Sequence, residues 1–190
     1  MDIEGYKAII KPFLSKKRYH HSICVSQAAK CLALKYGADP QKAETAGILH
    51  DIMKDLPPEQ QLEKMEHYGI KLTDVERSAQ KLWHAMLGAA YIKTELHIND
   101  QEILDAVRYH TTGRKDMTLM DKILFIADFI SEDRDYPGVE NLRKAANISL
   151  EKAMMEGFAY TIADLAGEMK PIHPDTIAAY NQTALAYGAR

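Results

Sequence analysis

Apolar residues along the chain recur at the three- and four-residue spacing of amphipathic helices, and helix-capping residues separate these segments. Ser15 predicts the start of a helix that runs through Tyr36 and ends at Gly37. The same signals mark further helix starts at Asp39-Pro40, Pro57-Pro58, Thr73, Asn99-Asp100, Thr118, Ser149 and His173-Pro174. Strand signals are nearly absent, because the chain has neither β-branched alternating runs nor an Asn-Gly turn. The pattern therefore predicts an all-α fold.

The predicted helices follow one another without a linker or an internal repeat between them. The helix after Asp39-Pro40 is expected to continue through Met53, and the one after Ser149 to reach Met169. A length of 190 residues suits one domain. We expect a single helical bundle over 1–190, with C-terminal helices at about 149–187 packed on its core.

Charge and cysteine usage narrow the partners and the compartment. The formal net charge is −3, so no general basic field exists to hold a nucleic acid polymer. The N-terminal segment lacks a long apolar run, and no stretch approaches the length of about 20 apolar residues that a membrane span needs. Cys24 and Cys31 lie two helical turns apart, about 10 Å, too far for a disulfide. We expect two free core thiols and a cytoplasmic protein without membrane contact.

Six histidine and aspartate residues stand inside or at the ends of apolar segments and are the candidate chemistry of the chain: His21, His50, Asp51, His84, His110 and Asp128. Asp128 lies in the most apolar run, where a carboxylate without a partner would be costly to bury. A single buried histidine is more often a satisfied core residue than a ligand. Six such groups on several helices instead indicate a metal site of the kind that helical bundles build from inward side chains. Metal-assisted hydrolysis, with phosphate esters as the natural target, is the chemistry that this predicts.

The sequence does not favour the other four histidines as ligands to the same degree. His67 and His97 stand at polar helix ends and are predicted to be exposed, and His173 is predicted to be a cap or surface residue. His20 and His21 point about 100° apart on one helix, so only one of them can face the site. His21 is favoured as the first ligand because Cys24 shares its helix face. His20 remains the alternative for this position.

Competing site chemistries lack their motifs. The sequence has no Cys-x-x-Cys pair, no His-Glu-x-x-His helix, no Gly-x-x-x-x-Gly-Lys loop and no Gly-x-Ser-x-Gly elbow. A metal therefore has to carry the chemistry.

The order of these ligands, a lone His, then His-Asp, two spaced His and a late Asp, resembles the HD-domain metal-dependent phosphohydrolases. The local segments resemble the bacterial YqeK family within them, over nearly the whole chain: 17–22 (KRYHHS), 50–56 (HDIMKDL), 110–113 (HTTG) and 127–138 (ADFISEDRDYPG).

The resemblance implies symmetrical hydrolysis of diadenosine tetraphosphate to two ADP, at a centre of two divalent ions. Iron is the first expectation, and Mn, Co, Ni or Zn also suit these ligands. By the same resemblance His21, His50, Asp51 and Asp128 would hold one ion, and Asp51, His84 and His110 the second, with Asp51 bridging. Open alternatives are another nucleotide substrate, such as a dNTP, a nucleoside monophosphate or a cyclic dinucleotide. A nucleotide-binding regulator that keeps its metal without turnover, and a helical interaction protein without metal, are also open.

A strongly anionic substrate needs cations, and the candidates lie close to the ligands in sequence. Lys54 stands four residues after His50 on the expected helix, and Arg18 three residues before His21. We expect Arg18, Lys54 and Arg134 to neutralise phosphate charge, with Lys54 also catalytic beside Asp51. Thr111 and Gly113 are further substrate-binding candidates, although Gly113 also fits a helix C-cap.

The last predicted helix carries apolar residues at helical spacing, which pack on the core or on a second copy. The second arrangement would give a homodimer, which the sequence leaves as an alternative to a monomer.

Overall fold

The computed structural model describes residues 2–188 and contains eleven α-helices and one 3₁₀ turn, with no strand among these residues. The all-α expectation is confirmed. The helices are α1 (Ile3–Ile10), α2 (Lys16–Tyr36), α3 (Pro40–Leu49), α4 (Pro58–His67), α5 (Asp74–Ser78), α6 (Trp83–Thr94), α7 (Gln101–Tyr109), α8 (Leu119–Ile130), α9 (Val139–Ile148), α10 (Leu150–Gly167) and α11 (Pro174–Gly188), with the 3₁₀ turn at Gln80–Leu82.

Most helix starts coincide with the capping residues that the sequence marked. Ser15 accepts from the N–H of Arg18, and α2 ends at Gly37 in the left-handed conformation that glycine tolerates. Thr73 and Thr118 each begin a full capping box, in which the side chains of Glu76 and Asp121 accept the backbone N–H of the capping threonine. The capping signals did not mark the starts of α1, α6 or α9, so these three helix starts were missed.

The interior is built around α2, α3, α7 and α8, which pack against one another, while α6 lies against α7. Gly47 on α3 permits the closest of these contacts, since a Cβ there would lie 2.6 Å from the Cα of Ser26 on α2. Any larger residue would push the two helices apart. This contact brings the α2 segment around His21 next to the end of α3, where His50 stands.

The C-terminal helices pack mainly through apolar contacts. Helix α10 lies against α8, α9 and α11, and the ring centroids of Phe125 and Phe158 lie 4.6 Å apart in the core, with the rings tilted by 36°. Cys24 is buried as expected, whereas Cys31 is exposed, so the prediction of two core thiols was wrong for Cys31. Cys31 simply falls on the outer face of α2. No helix in the described part of the chain has both the length and the apolar character of a membrane span.

Candidate metal centre

His50 and Asp51 directly follow the last residue of α3, and the expectation that this helix runs on through Met53 was wrong. Ile52 N–H donates to the carbonyl of Leu49 at 3.1 Å, and Lys54 N–H to that of Asp51 at 2.8 Å. These three-residue bonds tighten the chain into turns and end the regular helix. Neighbours on a helix would point about 100° apart. In the turn, His50 Nε2 instead lies only 3.5 Å from Asp51 Oδ2.

Three of the four histidine rings are oriented by a hydrogen bond from Nδ1. His50 donates to the carbonyl of Gly47 and His110 to that of Val107, each at 2.7 Å. His21 Nδ1 lies 2.8 Å from Asp133 Oδ2. A carbonyl can only accept, so the proton sits on Nδ1 and Nε2 keeps its lone pair. Outer contacts of this kind are the ones that orient histidines toward a metal.

The Nε2 atoms of these rings converge on the two aspartates. On one side, His21 Nε2 lies 2.9 Å from Asp128 Oδ1, and His50 Nε2 lies 4.0 Å from the same oxygen. Because all of these residues are buried or nearly so, their lone pairs meet in a space that little water reaches.

Asp51 joins this side to a second one. Its Oδ2 faces His50, while its Oδ1 lies 3.0 Å from His84 Nε2 and 3.7 Å from His110 Nε2. The Nε2 atoms of His84 and His110 are themselves 3.1 Å apart. The two carboxylate oxygens of one residue therefore serve two different groups of histidines.

The donor set fits a divalent metal. His50 Nε2 is buried and has no hydrogen-bond partner among the described residues, as expected for a ligand atom aimed at an ion. Ligands about 2.0–2.2 Å from a metal lie within about 4.4 Å of one another. Three groups of three potential ligand atoms lie within 4.8 Å of one another: His21–His50–Asp51, His50–His110–Asp128 and Asp51–His84–His110. Imidazole nitrogen and carboxylate oxygen suit several divalent transition metals.

Burial and mutual attraction set the charge state of the centre. Burial lowers the pKa of His50 and of His84 to about 4, so both rings are neutral at pH 7, as ligands must be. Burial alone would raise the pKa of Asp51, but His50 and His84 hold it well below its usual range. His21 and Arg134 do the same for Asp128. The centre therefore presents two carboxylates together with the neutral imidazoles of His50 and His84.

The three cations expected to bind phosphate surround this cluster. Arg18 Nη1 lies 3.2 Å from Asp51 Oδ2, and Arg134 donates to the carbonyl of Asp128 at 2.7 Å while also contacting its carboxylate. Lys54 Nζ lies 3.2 Å from His84 Nδ1. Lys54 reaches the centre from the turn after Asp51 and not from a helix face. Lys54 therefore lies near the ligands as predicted, but the prediction that it shares a helix face with His50 was wrong.

The Gly113 amide is already hydrogen-bonded within its own turn, and substrate binding by this residue stays a prediction. Its φ is +64°, its N–H donates to the carbonyl of Tyr109 at 2.8 Å, and a Cβ there would lie 2.7 Å from the ring of Phe158. The residue ends the turn after α7, which leaves its amide without a free proton for phosphate. Thr111 follows His110 and its hydroxyl is buried without a partner among the described residues, so substrate binding by Thr111 stays a prediction.

The remaining four histidines lie outside the three groups of potential ligands. His20, His67 and His97 are exposed, so His21 and not His20 faces the centre. His173 is buried, and the expectation of a surface position was wrong. Its Nδ1 accepts the N–H of Asp175 at 3.1 Å at the start of α11, which agrees with the capping role.

Sequence reasoning missed Asp133, which lies next to the centre. Its Oδ2 receives the Nδ1 proton of His21, and its Oδ1 accepts from the hydroxyl of Ser131 at 2.8 Å. Burial would raise the pKa of this carboxyl, but Ser131 and His21 lower it. Asp133 stands in the polar loop after α8, where nothing in the spacing set it apart from Glu132 and Asp135.

Known proteins are similar to this chain over most of its length. The HD domain family model matches residues 18–133, which include all six candidate ligands. A symmetrical bis(5'-nucleosyl)-tetraphosphatase of Halalkalibacterium halodurans is 41% identical over 93% of this chain and 94% of its own. One of Bacillus subtilis is 39% identical over 95% and 97%.

A solved structure gives the same result in three dimensions. The crystal structure of an HD superfamily hydrolase from Clostridium acetobutylicum, described as involved in NAD metabolism, superposes with a TM-score of 0.92. It is 36% identical to this chain, and the match covers 96% of this chain and 97% of that one. The sequence match, the fold and the converging His and Asp side chains agree. The chain belongs to the HD-domain family of hydrolases and is similar over nearly its whole length to symmetrical bis(5'-nucleosyl)-tetraphosphatases.

Proposed function

We propose that this protein is a metal-dependent hydrolase that cleaves diadenosine tetraphosphate symmetrically into two ADP. The observation that carries the proposal is the convergence of four histidines and two aspartates within a ring of three cations. The relatives at 39–41% identity carry the name of this activity. Buried carboxylates and cations in one cleft are the groups that phosphoryl chemistry needs.

We further propose that the cluster holds two divalent ions, with iron as the first expectation and Mn, Co, Ni or Zn as alternatives. His21, His50, Asp51 and Asp128 would hold one ion, and Asp51, His84 and His110 the other. The opposed oxygens of Asp51 support a bridging role. Divalent ions at such a site lower the pKa of water and polarise phosphoryl oxygens.

The chain's own cations position the substrate. Arg18 and Arg134 present planar guanidinium groups that match phosphate oxygens, and both already lie beside the aspartates. We assign to them the binding of the tetraphosphate on either side of the scissile bond.

Lys54 is placed to handle the leaving group. Burial lowers the pKa of its ammonium, which lies beside His84 and near Asp51. A lysine with a lowered pKa gives up its proton more readily, so Lys54 can protonate or neutralise the phosphate oxygen of the departing ADP.

Product analysis tests this function. Purified protein of measured metal content is incubated with diadenosine tetraphosphate, and the nucleotides are separated by chromatography. We expect ADP as the sole product, with turnover lost on chelation and restored by added metal. AMP together with ATP would contradict the symmetrical cleavage. Absence of turnover by the metal-loaded protein would favour another nucleotide, and a panel of dNTPs, nucleoside monophosphates and cyclic dinucleotides would identify it.

We also propose that 1–190 form one HD domain. The family model ends at residue 133, but α10 packs against α8 and α9, and similarity to the two tetraphosphatases named above covers 93% and 95% of the chain. The homodimer, the cytoplasmic location and the absence of nucleic acid polymers as partners stay predictions. Sedimentation analysis of the purified protein tests the first of these.

A further inference from the structure

Two adjoining cavities open beside the metal centre, between the loop after α8 and the outer face of α10. The inner one measures about 260 Å³ and is lined by Asp128, Phe129, Arg134, Tyr136 and Tyr160. The outer one measures about 190 Å³ and shares Phe129, Tyr136 and Tyr160 with it. Asp128 and Arg134 belong to the centre itself, so the two cavities form one pocket that runs from the ligands outward. Small-molecule sites measure about 300–1,000 Å³, and the joined pocket reaches that range.

The walls of this pocket are aromatic and fixed in place. The rings of Tyr136 and Tyr160 lie 5.5 Å apart at an angle of 34°. The Tyr136 hydroxyl donates to the carbonyl of Phe129 at 3.0 Å, which holds that ring against the loop. Tyr160 is 49% exposed although it is a large aromatic residue, so part of its side chain is accessible to a ligand.

The two ends of the pocket differ in chemistry. At the inner end, the Arg134 guanidinium lies where a phosphate can meet it. At the outer end, Asn141 and Glu156 provide an amide and a carboxylate. A nucleotide has the same polarity, with anionic phosphates at one end and, at the other, a flat base whose edge carries donors and acceptors. Aromatic rings bind such bases by stacking, whichever base is present.

We propose that this pocket holds one nucleobase of the dinucleotide, stacked on Tyr160 and Tyr136, with the attached phosphates running past Arg134 to the metal centre. The inference rests on the proposed function, since it assigns a position to part of that substrate. It makes Tyr160, which no sequence motif marked, a substrate-binding residue together with Tyr136, which lies in the 127–138 segment. Burial raises the pKa of Tyr136 to about 12, so its hydroxyl keeps the proton that it gives to Phe129.

Equilibrium binding of ADP and of inorganic pyrophosphate to the metal-loaded protein tests the pocket without any need for turnover. The two probes share the diphosphate, and only ADP carries a base. In the variant Tyr160→Ala we expect the dissociation constant of ADP to rise about tenfold, while that of pyrophosphate changes less than about twofold. Tyr136→Leu should show the same split, and Tyr136→Phe, which keeps the ring, a much smaller one. Metal content is measured before and after each titration.

Tyr187→Ala is the matched control, because Tyr187 is a partly exposed tyrosine on α11 outside this pocket. It should bind both probes as the unmodified protein does. Unchanged binding of ADP to Tyr160→Ala would overturn the proposal, as would an equal loss for both probes or a failure of the unmodified protein to bind ADP. Turnover of diadenosine tetraphosphate is a separate readout. A protein that binds ADP through Tyr160 but cleaves another substrate would retain the pocket and lose the proposed function.

Discussion

Two clusters in this protein are each built around a buried carboxylate and contain histidine, but their hydrogen bonds are arranged in opposite ways. One is the metal centre, and the other, which we call the Glu76 cluster, consists of Glu76, Arg108, His173 and Thr73. In the Glu76 cluster, Oε2 accepts the N–H and the hydroxyl of Thr73, each at 2.8 Å. Its Oε1 lies 3.1 Å from Arg108 Nη2 and 3.4 Å from His173 Nε2.

The difference lies in where the lone pairs point. His173 uses Nδ1 as an acceptor within its own turn, so its Nε2 carries the proton that meets Glu76. At the metal centre His50 and His110 donate from Nδ1, and their Nε2 lone pairs face inward. A buried carboxylate with a hydrogen-bond donor for each of its oxygens is fully satisfied and links the elements that supply those donors. Acceptors that converge without donors instead need a cation between them. The hydrogen bonds of a buried histidine, more than its burial, therefore distinguish a structural residue from a ligand.

Asp51→Ala gives the largest expected effect, because it removes both oxygens that face the two groups of histidines. We expect turnover to fall more than about 10³-fold and bound metal to be lost. Metal analysis and product chromatography on the same sample measure this. Folding is checked by circular dichroism, and Glu63→Ala, which removes an exposed carboxylate on α4, serves as the control. Full metal and full activity in Asp51→Ala would show that the centre is misassigned.

Glu76→Ala is the counterpart in the Glu76 cluster, and its effect should fall on stability. It leaves Arg108 without its carboxylate and removes the acceptor that caps α5, which we expect to cost about 3 kcal/mol of unfolding free energy. Urea denaturation measures this cost. Metal content and turnover per folded molecule should stay within about twofold of the unmodified protein. A selective loss of metal in Glu76→Ala would erase the distinction between the two clusters.

Asp133→Asn tests how much the metal centre depends on an outer contact. The amide keeps an oxygen near His21 Nδ1 but removes the charge that favours the correct ring orientation. We expect metal affinity or turnover to fall about 10–100-fold, as for other outer partners of ligating histidines. Ser131→Ala removes only the hydroxyl that supports Asp133 and should have a smaller effect. Equal metal affinity in Asp133→Asn and the unmodified protein would exclude this positioning role.

Lys54→Ala should separate substrate handling from metal binding. Lys54 contacts His84 but offers no lone pair to an ion while it is protonated, so metal content should stay intact. We expect KM to rise or kcat to fall about tenfold, with Lys54→Arg restoring part of the loss if charge matters more than proton transfer. Metal loss in Lys54→Ala, comparable to that in Asp51→Ala, would instead assign Lys54 to the support of the ligands.

The sequence predicted the helices with strong caps and the ligands with apolar neighbours. Asp128 could be found because a carboxylate in an apolar helix demands a partner, and His21 because its helical face is buried. The starts of α6 and α9 were missed because neither carries a side-chain N-cap or a proline in its first turn, whereas α1 was missed although Asp2 caps it.

The remaining errors have a common physical cause, since they concern positions set by tertiary contacts. His173 looks like a surface cap until α11 is seen to lie against Glu76, 97 residues away in sequence. Asp133 looks like any loop acid until the fold brings α2 beside it. The turn at His50 ends α3 although the helical pattern continues in the sequence. Lys54 therefore lies at the centre, but not because it shares a helix face with His50.

The pH dependence of stability gives the smallest effect and concerns the metal centre alone. Burial lowers the pKa of His50 and His84 to about 4 from the ordinary 6.5, so the unfolded chain takes up protons that the folded, metal-free protein refuses. Unfolding therefore becomes easier as pH falls from 6.5 toward 4, by up to about 1.4 kcal/mol per pH unit for each histidine.

Other groups of the two clusters do not oppose this trend within the window. Asp51 and Glu76 have pKa values lowered from ordinary values of 3.8 and 4.5, so the stability that they contribute is lost mainly below the window. For His21, burial lowers the pKa but Asp128 raises it overall, and its contribution is complete below pH 6.5. Urea unfolding of chelator-treated protein at pH 7, 6 and 5 measures the slope. His84→Asn should make it shallower, whereas His67→Gln, at an exposed site, should leave it unchanged. A flat profile between pH 7 and 5 would mean that the imidazoles of the centre are not held neutral by burial, and the contrast with the Glu76 cluster would then rest on hydrogen bonds alone.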